Sequence, residues 1–271
     1  MSAIEVIDPG PLATVQDRGR PGFAHLGVSP SGAADRRALE RGNRLVGNAD
    51  GAAALECTLS GPRLRFTAPA VVALTGAEER GPFEVQPADE LTVGAYMRGV
   101  RLYVCVRGGI DVAPVLGSRS TDLLGGIGPA PLRDGDVLSI GSEPCPDMAP
   151  EPYELPESPL LRVSPGPRTD WFVEDALATL VTSAWRVRPD SNRVGIRLEG
   201  PQLRWARDGE LESEGLVAGA LQVPPGGQPI LLGPDHPTTG GYPVLAVVAA
   251  DDLWVAGQLR PGDTVRFDEA A

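Results

Sequence analysis

The chain has no lysine. Its 24 cationic residues are all arginine, set against 36 acidic residues, for a net charge of −12 over 271 residues. That absence excludes chemistry directly. A Walker A loop needs its lysine, so this is not a P-loop nucleotide hydrolase. Schiff-base and pyridoxal phosphate chemistry need a lysine amine. Covalent biotin on this chain is excluded for the same reason. Any anion bound here is met by arginine forks, backbone N–H groups or a metal.

Other scarcities narrow the field further. No basic cluster exceeds an arginine pair, so no nucleic-acid footprint is present. No apolar run approaches the roughly 18 residues of a membrane helix. The opening MSAIEVIDPG lacks the charged start and apolar run of a signal peptide. Three widely spaced cysteines, Cys57, Cys105 and Cys145, fit a reducing compartment, so a cytoplasmic location is expected. Cys57 and Cys105 sit in apolar runs and read as inert core residues. The two histidines, His25 and His236, are far apart and no cysteine pair has ligand spacing, so no metal site is expected.

Glycine (34) and proline (28) are abundant, and 42% of residues are hydrophobic, which describes a folded chain of short elements and many turns. Four strings recur in order. PGP occurs at 9–11 and 165–167, Asn-Arg at 43–44 and 192–193, GPRLRF at 61–66 against GPQLRW at 200–205, and RDGDVLSI at 133–140 against RPGDTVRF at 260–267. Together they predict a duplicated domain. The stretch 142–159, with six prolines and five acidic residues, reads as a linker. The expected division is therefore residues 1–141, linker 142–159, and 160–271.

Within each half the pattern is mainly β. AVVALTGA (70–77), RLYVCVRGG (101–109), ALQVPPGGQPILL (220–232) and PVLAVVAADDLWVAGQL (243–259) are short apolar or alternating runs broken by Gly, Pro or Asp. Helices are expected at 34–46, burying Ala38, Leu39, Leu45 and Val46, and at 170–181. The latter has Thr169 as N-cap and buries Phe172, Ala176, Leu177 and Leu180. Each half reads as one helix on a closed or nearly closed β-barrel.

Three segments offer chemistry. GVSPSGAADR (27–36) puts Ser29 and Ser31 just before a helix start, where N–H groups cradle anions; the alternative is a cap and turn. GPDHPTTGGYPV (233–244) carries Asp235 and His236 as acid–base candidates beside Thr238, Thr239, Gly240, Gly241 and Tyr242; the alternative is a wide hairpin whose glycines supply positive φ. LGSRSTDLLGG (116–126) sets Arg119 beside Ser120, suited to a carboxylate or phosphate, or simply a solvated loop. Asn43, with Asn48 and Glu56, lies near the first helix, where capping is the competing role.

Taken together, GVSPSGAAD, NRLVGN, LTGA, GGIDV, LGSRST, SNRVGIRLEG, QVPPGGQPILL, TTGGYP and QLRPGD run in the order of a known family. The chain resembles the C-type component of the bacterial ATP-dependent 5-oxoprolinases, long labelled allophanate hydrolase subunit 2. It is also similar to half of the carboxyltransferase region of urea carboxylase. The resemblance covers roughly residues 4–267. Pro237 stands where some relatives have Gln, and Ala34 where Met is frequent, so position 237 has no reactive side chain.

The resemblance implies two tandem cyclophilin-like β-barrel subdomains. It implies ATP-driven opening of 5-oxo-L-proline to L-glutamate in a complex with two further 5-oxoprolinase components, the B-type (allophanate hydrolase subunit 1-like) and the A-type. The chain would be inactive alone, with the ATP site shared with a partner. It implies an amide substrate, for which the motifs above offer Ser29, Ser31, Asn43, Arg119, Ser120 and the 238–242 stretch as contacts. Two alternatives stand beside this reading. One is the carboxyltransferase component of a biotin-dependent urea or amide carboxylase, or an allophanate-type hydrolase. The other is a non-enzymatic regulator that binds a kinase inhibitor.

Overall fold

A computed structural model describes residues 2–142 and 148–270. Cys145 and the rest of residues 143–147 of the expected linker lie outside the described residues. The chain divides into two units: Met1–Arg20, Ser31–Asp122 and Gly126–Leu155 form one; Pro21–Pro30, Leu123–Gly125 and Pro156–Ala271 form the other. Residues 148–155 belong to the first unit, where Tyr153 donates its hydroxyl to Asp35 Oδ2 at 2.6 Å and Arg98 Nη2 donates to Leu155 O at 2.6 Å.

The first unit contains β1 (Ala3–Asp8), β2 (Leu12–Gln16), α1 (Arg36–Leu45), β3 (Ala54–Thr58), β4 (Arg63–Phe66), β5 (Ala70–Gly76), β6 (Arg80–Val85), β7 (Glu90–Thr92), β8 (Arg101–Val106), β9 (Ile110–Asp111) and β10 (Val137–Ile140). They form two antiparallel five-stranded sheets, β7-β4-β1-β10-β9 and β2-β3-β8-β5-β6, around one core. Alternation sets the inward faces: Ile4 and Val6 on β1 and Leu64 and Phe66 on β4 are fully buried. Strand β8 is buried at every position because α1 covers its other face, packing Ala38 and Leu39 against Tyr103 and Cys105. The helix starts at Asp35, whose carboxylate accepts from Ala38 N at 2.9 Å.

The second unit contains β11 (Leu160–Pro165), α2 (Ala176–Thr182), β12 (Ala184–Val187), β13 (Gly195–Glu199), β14 (Glu214–Gly215), β15 (Ala220–Gln222), β16 (Ile230–Leu232), β17 (Thr239–Gly240), β18 (Val244–Val248), α3 (Leu253–Gly257) and β19 (Thr264–Glu269). Seven strands close a barrel in the order β11-β18-β15-β16-β13-β12-β19, sealed by the parallel pair β11–β19. Trp185, Leu198, Leu221, Leu231, Leu245, Val265 and Phe267 fill it. Strands β14 and β17 form a separate two-stranded ribbon.

The mainly-β reading with few short helices holds. Three local expectations change. Thr169 does not cap a helix at 170; it opens a short 3-10 turn, and α2 begins only at Ala176. The apolar run 243–259 is not all strand: β18 ends at Val248 and the run continues through a turn into α3. The string GPRLRF contains strand β4, whereas in GPQLRW only Trp205 makes a single bridge, to Phe172.

Candidate functional site

In the first unit, the hydroxyl-rich loops converge on one carboxylate. Asp17, directly after β2, is buried. Its Oδ1 accepts from Gly19 N at 2.7 Å and from Ser118 Oγ and Ser120 Oγ, both at 2.6 Å; its Oδ2 accepts from Arg119 N at 2.6 Å. Ser120 Oγ in turn accepts from Asp17 N at 3.0 Å. A carboxylate with four short donors acts as a template on which the 118–120 backbone is wound. Arg20, 1% exposed, adds a guanidinium whose Nη2 donates to Ser120 O and whose Nε donates to Val115 O at 3.3 Å.

Ser31 joins the same cluster, donating Oγ to Thr121 O at 2.8 Å. It sits at φ 51°, and Gly32 follows at φ 91°. A side chain at Gly32 would lie 2.8 Å from Gly19 N and 2.9 Å from Arg18 C, so only glycine permits this approach. Ser31, Arg119 and Ser120 are thus brought together. Asn43 is not among them. Its amide donates to Asp50 O and Ala52 O, and its Oδ1 accepts from Asn48 Nδ2, so it pins the turn after α1.

Behind the 31–36 turn lies a buried polar network. Tyr103 accepts from Asp35 N at 2.8 Å and donates to Glu56 Oε2 at 2.6 Å, and Arg101 pairs with Glu56 Oε1 at 3.2 Å. Burial, with the Glu56 and Asp35 charges beside it, raises the Tyr103 phenol well above its ordinary range, so it stays a donor. Burial likewise raises the Cys57 and Cys105 thiols, which makes them inert.

In the second unit, Asp235 is fully buried and forms a two-pronged ion pair with Arg193: Nε to Oδ2 at 2.8 Å and Nη2 to Oδ1 at 2.9 Å. Leu123 N donates to Oδ2 at 3.3 Å, and Ser29 donates Oγ to Pro234 O at 2.9 Å. Both carboxylate oxygens are therefore engaged in holding the 233–236 turn. His236, 3% exposed, donates Nδ1–H to Pro237 O at 2.8 Å, which leaves Nε2 as the basic nitrogen. Burial lowers its pKa, so the ring is neutral at pH 7.

The Thr238–Tyr242 stretch is not a loop held by positive-φ glycines; neither Gly240 nor Gly241 adopts positive φ. Thr239 and Gly240 form β17, paired with Gly215 and Glu214. Gly240 lies close to its neighbours: a side chain there would stand 2.8 Å from Leu216 Cδ1 and 3.0 Å from Gln222 Nε2, so those side chains would have to shift. Glu214 Oε2 is held by Arg168 Nε at 2.8 Å, and Gln222 Nε2 donates to Tyr242 O at 3.0 Å. Thr239 and the Tyr242 ring are exposed.

Asp17, Arg20, Arg193 and Glu214 were not visible as site residues in the sequence. Each owes its place to partners far along the chain, and only Arg193 lay within a quoted motif, SNRVGIRLEG. No group of three or more His, Cys, Asp or Glu among the described residues is placed to hold a metal. No helix among them is long and apolar enough to cross a membrane.

These features define a two-unit, mainly-β protein whose polar clusters rest on arginine, hydroxyl and backbone groups. The chain belongs to the family described as carboxyltransferase domain, subdomain A and B, whose model matches residues 26–269. It is 38% identical to the C component of 5-oxoprolinase from Escherichia coli K12, over 97% of this chain and 90% of that protein. It is 35% identical to urea amidolyase of Lachancea kluyveri, over 98% of this chain but 17% of that protein. The urea amidolyase structure from K. lactis superposes with a TM-score of 0.91 at 36% identity, covering 99% of this chain and 19% of the other. The chain thus spans less than a fifth of these urea amidolyases.

Proposed function

We propose that this chain is the C-type component of an ATP-dependent 5-oxoprolinase, opening 5-oxo-L-proline to L-glutamate together with the B-type and A-type components. The observation that carries the reading is the match to 90% of the C component of the Escherichia coli 5-oxoprolinase. The chemistry is consistent. A five-membered lactam is a poor electrophile; transfer of the ATP γ-phosphoryl group to its oxygen creates a leaving group. Water then adds at the carbon, the C–N bond breaks with the proton going to nitrogen and leaves an acyl phosphate, and a second water cleaves that acyl phosphate to the carboxylate and phosphate. With no lysine in the chain, the nucleotide phosphates fall to arginines, backbone N–H groups or a partner's residues. In the first unit, Arg119 with Ser31 and Ser120 are the groups for a substrate carboxylate and amide; in the second unit, taken by itself, Ser29 and the Thr238–Tyr242 stretch are the candidate polar contacts and His236 Nε2 is the group able to accept a proton. The test is phosphate release dependent on 5-oxoproline. It should appear only when the chain is mixed with both partner components, and a silent full mixture refutes the reading.

The family description and the urea amidolyase relatives favour a second reading, carboxyl transfer from biotin to a urea or amide nitrogen. The biotin would ride on another chain, since this one has no lysine. Carbon-14 from bicarbonate would then enter an amide product in the presence of a biotinylated carrier, with no 5-oxoproline turnover. Under either reading the substrate is an amide.

A further inference from the structure

Three side-chain atoms of the Asp17 cluster are enclosed by protein and have no hydrogen-bond partner among the described residues: Gln16 Oε1, Thr121 Oγ1 and Arg119 Nε. Gln16 is fully buried and Thr121 is 2% exposed. Gln16 Nε2 donates to Thr14 Oγ1 at 3.1 Å and to Thr121 O at 2.9 Å. Because a carbonyl only accepts, the amide nitrogen must lie on that side, which fixes Oε1 as the unmatched acceptor. The Thr121 main chain is fully used: its N donates to Val15 O at 2.9 Å, and its O accepts from Gln16 and from Ser31. Only its hydroxyl is left over.

We propose that Gln16 and Thr121 recognise the substrate amide, Gln16 Oε1 accepting its N–H and Thr121 Oγ1 donating to its carbonyl oxygen. This rests on the amide-substrate reading. In a lactam or in urea, an N–H and the C=O lie side by side on one edge of a planar group, which matches an acceptor and a hydroxyl held on adjacent segments. Arg119 Nε, two residues from Thr121, supplies a cationic donor for a ring carboxylate. Ring opening turns this edge into a carboxylate of oxygens only and moves the N–H groups to a separate ammonium, so the product no longer presents N–H and C=O side by side. The two atoms are enclosed, so a ligand reaches them by displacing chain bonded to Thr121. Ser31 is one residue bonded there, at a φ of 51°.

Thr121→Val tests this cleanly, because it removes a hydroxyl with no protein partner and keeps the shape. In the complex with its partner components, the variant should melt no lower than wild type, while KM for 5-oxoproline rises about tenfold, the loss of one hydrogen bond to ligand. Thr121→Ser should restore KM to near the wild-type value. A wild-type KM in the valine variant, or a lowered melting temperature, overturns the proposal. Thermal-shift titrations of the same complexes with γ-butyrolactam, 5-oxoproline, urea and L-glutamate separate the two levels of the argument. If wild type turns over no 5-oxoproline, the 5-oxoprolinase reading fails. The amide pair then stands if an amide probe raises the melting temperature of wild type and not of Thr121→Val. It falls if no probe distinguishes them.

Discussion

Asp235→Ala should destabilise the second unit before it affects any chemistry. The carboxylate is fully buried and the Arg193 side chain is 2% exposed, with both prongs at 2.8–2.9 Å. Removing the acid takes away both carboxylate bonds of a buried guanidinium, a change that costs about 3–5 kcal/mol. For a protein of this size each kcal/mol lowers the melting temperature by roughly 2–4 °C, so a fall of about 6–20 °C is expected. The assay is built into the sequence. All four tryptophans, Trp171, Trp185, Trp205 and Trp254, lie in the second unit, so tryptophan fluorescence follows its unfolding alone. Asp190→Ala is the control, since its exposed pairs with Arg188 and Arg197 are screened by water and should barely move the transition. Replacing both Arg193 and Asp235 by leucine should recover much of the loss, because the pair itself contributes little net stability. An Asp235→Ala transition within about 1 kcal/mol of wild type refutes the reasoning. Loss of activity in Asp235→Ala is therefore no sign of acid–base catalysis unless the fold is shown to persist.

Three further outcomes follow from the geometry. Asp17→Ala removes the acceptor of four hydrogen bonds, so the 116–121 loop should open and trypsin should cut after Arg119 much faster than in wild type; unchanged cleavage would show that the loop holds its own shape. Gly42→Ala should destabilise despite a better helix propensity worth about 0.5–1 kcal/mol: its methyl would lie 2.5 Å from Cys105 Sγ and 2.7 Å from Thr75 Oγ1, and such overpacking costs about 1–3 kcal/mol in the melting curve. His236 has a folded pKa below its ordinary 6.5 because burial disfavours the cation. Between the two values the unfolded chain holds more protons, so stability should fall as pH drops below about 6.5. His236→Gln should flatten that slope in fluorescence-monitored unfolding, and an unchanged slope would assign it elsewhere.

Much of the fold was readable because β alternation is local. Ile4 and Val6, or Leu64 and Phe66, show their inward face without any knowledge of a partner strand. The end of the duplication was readable for the same reason. In RDGDVLSI, Arg133 N donates to Asp136 Oδ2 at 2.7 Å, and in RPGDTVRF, Arg260 N donates to Asp263 Oδ2 at 2.9 Å. Gly135 N bonds Val6 O and Gly262 N bonds Val187 O, each at 2.8 Å. Short strings with no such local closure misled: GPQLRW shares letters with strand β4 but not its pairing, and α3 was hidden inside an apolar run that did not reveal where β18 stops.

The site was readable only where a motif concentrated reactive side chains. Ser31, Arg119 and Ser120 stood out; Asp17, the residue that arranges them, is one acid in QDRGR and acquires meaning from residues about a hundred positions away. The TTGGY stretch shows the converse. Its glycines suggested turn geometry or a loop of open N–H groups, and neither describes Gly240. It lies in a strand, with Leu216 and the Gln222 amide in the space a side chain would take. A glycine pair therefore carries two possible messages, freedom of backbone or closeness of neighbours, and only the neighbours distinguish them. Here it is closeness. Substituting Gly240 should then disturb the Gln222–Tyr242 bond, and with it the exposed Tyr242 ring, rather than strain a turn.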